Sequence, residues 1–573
     1  MVDPAAFTIT TIIALSTCVT VTHSAADNVF PEYIKVLPSP LVCLLDGCII
    51  GTTRSALEGY QFEAFFGIPY AKPPLGKLRF KDPVQVESWV GNYDATFERS
   101  KCIQKNDARP QSFVEGSEDC LYLNLYRPLH IGEKLPVIVY IHGGSYASGS
   151  ASFAEYGPER LMDTKKVLVV VIQYRLGVFG FLSTDDISSP GNYGLKDQSM
   201  AMRWVQRNIK KFGGDPNRVT LVGQSAGGAA VQMHMMSHLS RGTFQQAVSM
   251  SGTALAYWNY NIDQARVARR QAAVLGIPAA YKMSTEKLVE TLRWVDAVEL
   301  GKSIDRLKYF YVHPTALYQP VMERHLTNGT FLSEDPRALW SAGKFQQIPW
   351  ITGTVPNDGA ADSLGIITNV TLLKQLNEMS RKYIPRLAGG DDNAKATQML
   401  KNRFFQDGTD DRWLTANNFL HLQDLLTEST ITYPTARSVK QHLALKKNNK
   451  SPIGVYYFNF KGRYSQSYSY SYTTNDFGVC HSDELLYLFR NTAVGADFPS
   501  GSPEAIMAKS FVEYFVKIAY EGIPGPTCRN KDCQILEFTN SENPKAPVVL
   551  SLVNGFNEDM YKFWQKYYSL QGI

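Results

Sequence analysis

The sequence predicts an α/β chain built on a large, mostly parallel central sheet with helices on both faces. Two observations carry this. The segments "LPVIVYIHGG" (135–144) and "KKVLVVVIQYRLG" (165–177) are nearly continuous runs of β-branched and other apolar residues. Such runs suit strands buried on both faces, not strands with one wet face. Next, "GLKDQSMAMRWVQRNIKKFGGDP" sets Leu195, Met200, Met202, Trp204, Val205 and Ile209 at helical spacing, stops at "FGGDP", and is followed by the apolar "RVTLV". Strand, helix, strand, tight turn and helix in that order mark a doubly wound sheet.

The remaining segments fall around this centre. Residues 42–54 read as strand, Asp-Gly turn and strand. Between Tyr257 and Lys447 helical stretches mix with loops, and no order emerges from periodicity. "PIGVYYFNF" (452–460) resumes a strand, and "YSQSYSYSYTTND" (464–476) reads as a polar surface loop, with an exposed edge strand as the alternative. With no internal repeat and no Gly/Ser or Pro-rich linker, residues 27–573 are expected to form one domain.

Residues 1–26 are expected to be a secretory signal peptide, because an apolar stretch from Ala5 to about Val21 precedes small residues near Ala26. Asp3 and the lack of Lys or Arg before the stretch leave a short buried or anchoring helix as the alternative. No later run reaches the length of a membrane span. Of 573 residues, 44% are hydrophobic and 19% charged, ample for a large core; the net charge of +5 contains no block of like charges and points to no nucleic-acid partner.

Without Cys18, seven cysteines remain, and the simplest arithmetic is three close pairs with Cys480 left over. Cys43 and Cys48 flank "LLDG", and Cys528 and Cys533 bracket a short polar loop; ordinary buried thiols are the alternative for both. Asn328, Asn369 and Asn449 head Asn-X-Ser/Thr sequons and become glycan acceptors if the chain is exported.

In "GQSAG", Gly223 and Gly227 flank Ser225 between an apolar strand and a helix. That context places the serine on a strained strand-to-helix turn, where bulky neighbours would clash, with its hydroxyl lifted into a cleft. A serine hydroxyl is a poor nucleophile until a base takes its proton, so a carboxylate and then a histidine should follow in the chain. Of ten histidines, His481 in "DFGVCHSDEL" lies late and after a strand, although a polar surface histidine would look the same. The acid is Asp358 or its neighbour Asp362, both in "WITGTVPNDGAADS" just past an apolar strand.

Taken together, "FFGIPYAKPPLGKLRF", "EDCLYLNLYRP", "IHGGSYASGS", "VVIQYRLGVFGFLS", "GNYGLKDQSMAMRWVQRNIKKFGGDPNRVTLVGQSAGG" and "HSDELLYLF" resemble, in order, blocks of the type-B carboxylesterase and cholinesterase family of the α/β-hydrolase fold. The resemblance covers nearly the whole chain after residue 26. It implies that Ser225 is the nucleophile, Asp358 the acid in place of the commoner glutamate, and His481 the base. It also implies an oxyanion hole from the N–H groups of Gly144, Ser145 and Ala226, with Ser145 where relatives carry glycine or alanine. Cys102 and Cys120 match the family's first disulfide, and no cysteine is placed to form its second. Arg79 with Glu118, and Arg175 with Asp197, match structural ion pairs; Trp258 aligns with an acyl-pocket position, core packing being its alternative. No cofactor or metal is implied.

Gln224 stands where most relatives carry glutamate or histidine, and "GQSAG" resembles the insect juvenile hormone esterases. The resemblance therefore implies a secreted, extracellular serine esterase acting on a small apolar ester, the methyl ester of juvenile hormone. A broad carboxylesterase clearing xenobiotic, dietary or odorant esters is the near alternative, and a non-catalytic cholinesterase-like adhesion protein the distant one.

Overall fold

The computed structural model describes residues 39–105, 113–129, 134–260, 262–391, 393–409, 411–445, 451–495, 497–528 and 533–572. The expected signal peptide and Asn449 lie outside them. Eleven strands form one sheet: β1 (Thr52–Ser55), β2 (Gln61–Pro69), β3 (Tyr122–Pro128), β4 (Leu135–Ile141), β5 (Leu168–Ile172), β6 (Gly214–Gln224), β7 (Gln246–Met250), β8 (Trp350–Thr354), β9 (Ile453–Asn459), β10 (Gln534–Asn540) and β11 (Val548–Asn554). Across the sheet they run β11-β10-β9-β8-β7-β6-β4-β5-β3-β2-β1. From β5 to β10 every neighbouring pair is parallel, while both flanks are antiparallel.

The apolar runs have the predicted physical cause. Along β4 and β5 every residue is buried, and alternate side chains enter different core layers. Val137, Val139, Ile141, Val170 and Ile172 pack with Trp204 and Val205 of α1 (Tyr193–Asn208). Ile138, Tyr140, Val169 and Val171 pack on the other face with Phe511 and Phe515 of α2 (Pro503–Glu521). Two covered faces leave no position for a polar residue, and each buried aliphatic side chain contributes about 1.5–3 kcal/mol.

The middle region resolves into short helices, and a third apolar cluster containing Leu364, Leu425 and Trp564 gathers them. Cys43–Cys48, Cys102–Cys120 and Cys528–Cys533 are bonded, and Cys480 is a free, buried thiol. Among the described residues no helix is long and apolar enough to cross a membrane.

The tyrosine-serine segment differs from its expected loop or edge strand, because Ser467–Ser471 is a helical turn. Just ahead of it the Gln466 backbone N–H and the Ser465 hydroxyl donate to Asp483 at 2.6 and 2.9 Å, and Ser467 and Ser471 are buried. Tertiary partners satisfy polar groups that in isolation read as solvent-facing.

Candidate active site

Because β4, β6, β7, β8 and β9 are parallel, their carboxyl ends line one edge of the sheet, the side on which open α/β sheets bind ligands. Gly143 and Gly144 follow β4, Ser225 follows β6, Ser251 follows β7, Asp358 lies just beyond β8, and His481 sits on the long connection after β9. All of these but Ser251 line a cavity of about 320 Å³.

Ser225 has φ 59° and ψ −125°, a conformation that costs a residue with a side chain about 1–3 kcal/mol. The turn explains its glycines. A Cβ on Gly223 would stand 2.3 Å from the Gly227 carbonyl oxygen, and one on Gly227 would stand 2.2 Å from that of Ile141. The Ser225 N–H donates to the Met250 carbonyl at 2.8 Å, and Ala226 then opens a helix, Ala226–Met236.

His481 Nδ1 lies 2.7 Å from Asp358 Oδ1. The other Asp358 oxygen accepts the Ser251 hydroxyl at 3.2 Å and the Val355 amide at 3.0 Å. The loops carrying acid and histidine are themselves joined, as the Asn357 N–H donates to the Val479 carbonyl at 3.0 Å. Gly478 permits that approach, because a Cβ there would meet Asn357 Oδ1 at 1.9 Å. Asp358 and His481 are both buried. Asp362 lines the same cavity but makes no hydrogen bond to His481.

Gly144, Ser145 and Tyr146 follow one another at φ 105°, 54° and 57°. Two of them carry a Cβ in left-handed backbone, at about 1–2 kcal/mol each. Among the described residues the N–H groups of Gly144, Ser145 and Ala226 have no acceptor. Trp258 lines the cavity, and its indole N–H donates to the Thr430 carbonyl at 3.1 Å.

Several residues at the site carried no signal in the sequence. Thr430 and Ile431 line the cavity from a wide helical turn, Glu428–Thr432, within a longer helix; such turns recur at functional sites. Gln466, Ser469 and Tyr470 line it from the tyrosine-serine segment. Gln224 was marked by its residue type, but its contact was not: the side-chain amide nitrogen lies 3.0 Å from His481 Nε2. Glu484, within the quoted "HSDELLYLF" block, is fully buried with both carboxyl oxygens unpartnered among the described residues, and burial together with the nearby Asp358 pushes its carboxyl well above the usual range.

Away from the site, Arg175 holds Asp197 through two side-chain bonds at 2.7 and 2.8 Å, both residues buried, and Arg79 Nε donates to Glu118 at 2.6 Å. Asn328 and Asn369 are exposed, and Asn369 Oδ1 caps the helix Val370–Glu378.

The sequence profile of the carboxylesterase family matches residues 38–564. The juvenile hormone esterase of Tribolium castaneum is 39% identical over 534 residues, covering 90% of this chain and 89% of that protein. Venom carboxylesterase-6 of Apis mellifera is 32% identical, covering 85% of this chain and 86% of its own. Among solved structures, juvenile hormone esterase from Manduca sexta with OTFP covalently attached superimposes with a TM-score of 0.78 at 28% identity, over 93% of this chain and all of that one.

Proposed function

The chain belongs to the carboxylesterase family, and from that premise we propose a secreted serine esterase that cleaves the methyl ester of juvenile hormone through Ser225, His481 and Asp358. With its Nδ1–H committed to Asp358, His481 offers a lone pair at Nε2. That lone pair takes the proton of Ser225 Oγ as the oxygen attacks the ester carbonyl. The free N–H groups of Gly144, Ser145 and Ala226 receive the oxyanion; loss of one such donor costs about 10²–10³ in kcat elsewhere. His481 then returns the proton to the departing methanol oxygen, leaving Ser225 acylated; water deprotonated by His481 adds to the acyl carbon, and the Oγ–acyl bond breaks as His481 gives that proton back to Ser225 Oγ, freeing the acid.

The observation that carries the catalytic reading is the 2.7 Å bond from His481 to Asp358 beside Ser225 on its turn. The hormone is supported by the Tribolium relative, which matches nearly end to end. Export is supported by three disulfides, which persist in oxidising compartments. A broad carboxylesterase is the second reading, favoured by polar side chains on the cavity wall such as Gln104, Thr315, Gln466 and Ser469. The test is kcat/KM on juvenile hormone beside 1-naphthyl acetate. A clear preference for the hormone supports the specialised esterase; rapid turnover of the short ester with negligible hormone hydrolysis supports the broad one.

A further inference from the structure

We infer that Gln224 is a positioning residue for His481, donating a neutral N–H to its Nε2 and so holding the imidazole uncharged until an ester arrives. This rests on the reading of His481 as the base. Asp358 accepts from Nδ1 at 2.7 Å, which fixes the tautomer and leaves Nε2 with a lone pair. Gln224 Nε2 lies 3.0 Å from that lone pair, so the amide must face it with an N–H and turn its oxygen away. Gly143 makes room for the oxygen, since a Cβ there would stand 2.9 Å from both Gln224 Oε1 and Ser225 Cβ. Gln224 is buried, so water does not readily replace it.

The amide biases the imidazole differently from the carboxylate of relatives with glutamate here, and differently from an apolar side chain. A carboxylate beside Nε2 would favour the imidazolium, which has no lone pair for the serine proton. An apolar group would leave Nε2 with no donor to favour the neutral ring. The contact also has a kinetic consequence: Gln224 occupies the lone pair that Ser225 needs, and among the described residues Ser225 Oγ makes no hydrogen bond to His481. Arrival of the ester must exchange one donor for the other.

The other titratable groups around the imidazole and its acid are few. Asp358 faces Nδ1; Asp483, Glu484 and the Cys480 thiol share the His481 loop; the Tyr470 hydroxyl donates to the His481 carbonyl at 3.4 Å; and Tyr456 and Tyr457 of β9 lie near Asp358. Substitution at 224 leaves all of them in place.

The experiment measures the pH dependence of kcat/KM on 1-naphthyl acetate for the full chain and its Gln224→Glu and Gln224→Met variants, with circular dichroism to check folding. The acidic limb should move to higher pH by about one unit in Gln224→Glu, and by about half a unit in Gln224→Met, where one hydrogen bond is lost. If Gln224→Glu does not fold, the Met variant alone decides. A shared acidic limb in active, folded variants overturns the inference while leaving the esterase reading standing. A wild-type protein whose activity does not depend on Ser225 overturns both.

Discussion

Asp358 is held from both sides, its Oδ1 2.7 Å from His481 Nδ1 and its Oδ2 bonded to the Ser251 hydroxyl and the Val355 amide. The carboxylate therefore has no freedom to leave the imidazole, and the tautomer of His481 follows from it. In Asp358→Asn the amide can turn its N–H toward Nδ1 and favour the wrong tautomer. The expected result is a fall in kcat of about 10⁴-fold with the fold intact, as in other triads. A variant with near-normal kcat on 1-naphthyl acetate would place the acid elsewhere, with Asp362 the next residue to replace.

Arg175 and Asp197 form a buried pair, and the Arg175 backbone N–H adds a third bond to the same carboxylate at 3.1 Å. In Asp197→Leu the guanidinium is left uncompensated in the core. The expected loss is about 3–5 kcal/mol in urea unfolding, whereas the double change Arg175→Met with Asp197→Leu should recover most of it. Equal losses in the single and double variants would show that packing, not charge, is what the pair supplies.

Burial pushes the Asp483 carboxyl up to about 7, against the donors Gln466 N, Cys480 N and Ser465 Oγ. The folded chain thus keeps a proton there that the unfolded chain, with an ordinary value of about 3.9, has released. Stability from this group is complete below about pH 4 and is lost as pH rises to 7. Asp483→Asn removes that dependence, so the variant should gain on wild type steadily between pH 4 and 7 and hold a constant lead above. Urea midpoints that run parallel across that range would rule the effect out.

The strands of the sheet centre were legible because burial on both faces demands uninterrupted apolar runs, as in β4 and β5. The nucleophile turn was legible because Gly223 and Gly227 have no steric alternative. The region from 257 to 447 was not. Its helices do carry capping residues, Asp263, Ser284, Asp296, Asp335, Asn369 and Asn393. The helices so capped run only six to eleven residues, too short for apolar periodicity to stand out. Ser251 and the Gln224 contact were illegible for another reason: each acquires its meaning from a partner far along the chain, 107 residues away for Ser251 and Asp358 and 257 for Gln224 and His481. Residue type alone marked Gln224 as unusual and said nothing of what it touches.

The most direct test of the account is kcat of Ser225→Ala on 1-naphthyl acetate, measured beside wild type on protein shown to be folded. The account predicts a fall of about 10⁶-fold, as removal of a nucleophile produces in other triads. A variant that keeps even a tenth of wild-type turnover would contradict it, because no other group on the cavity wall could then be subordinate to Ser225.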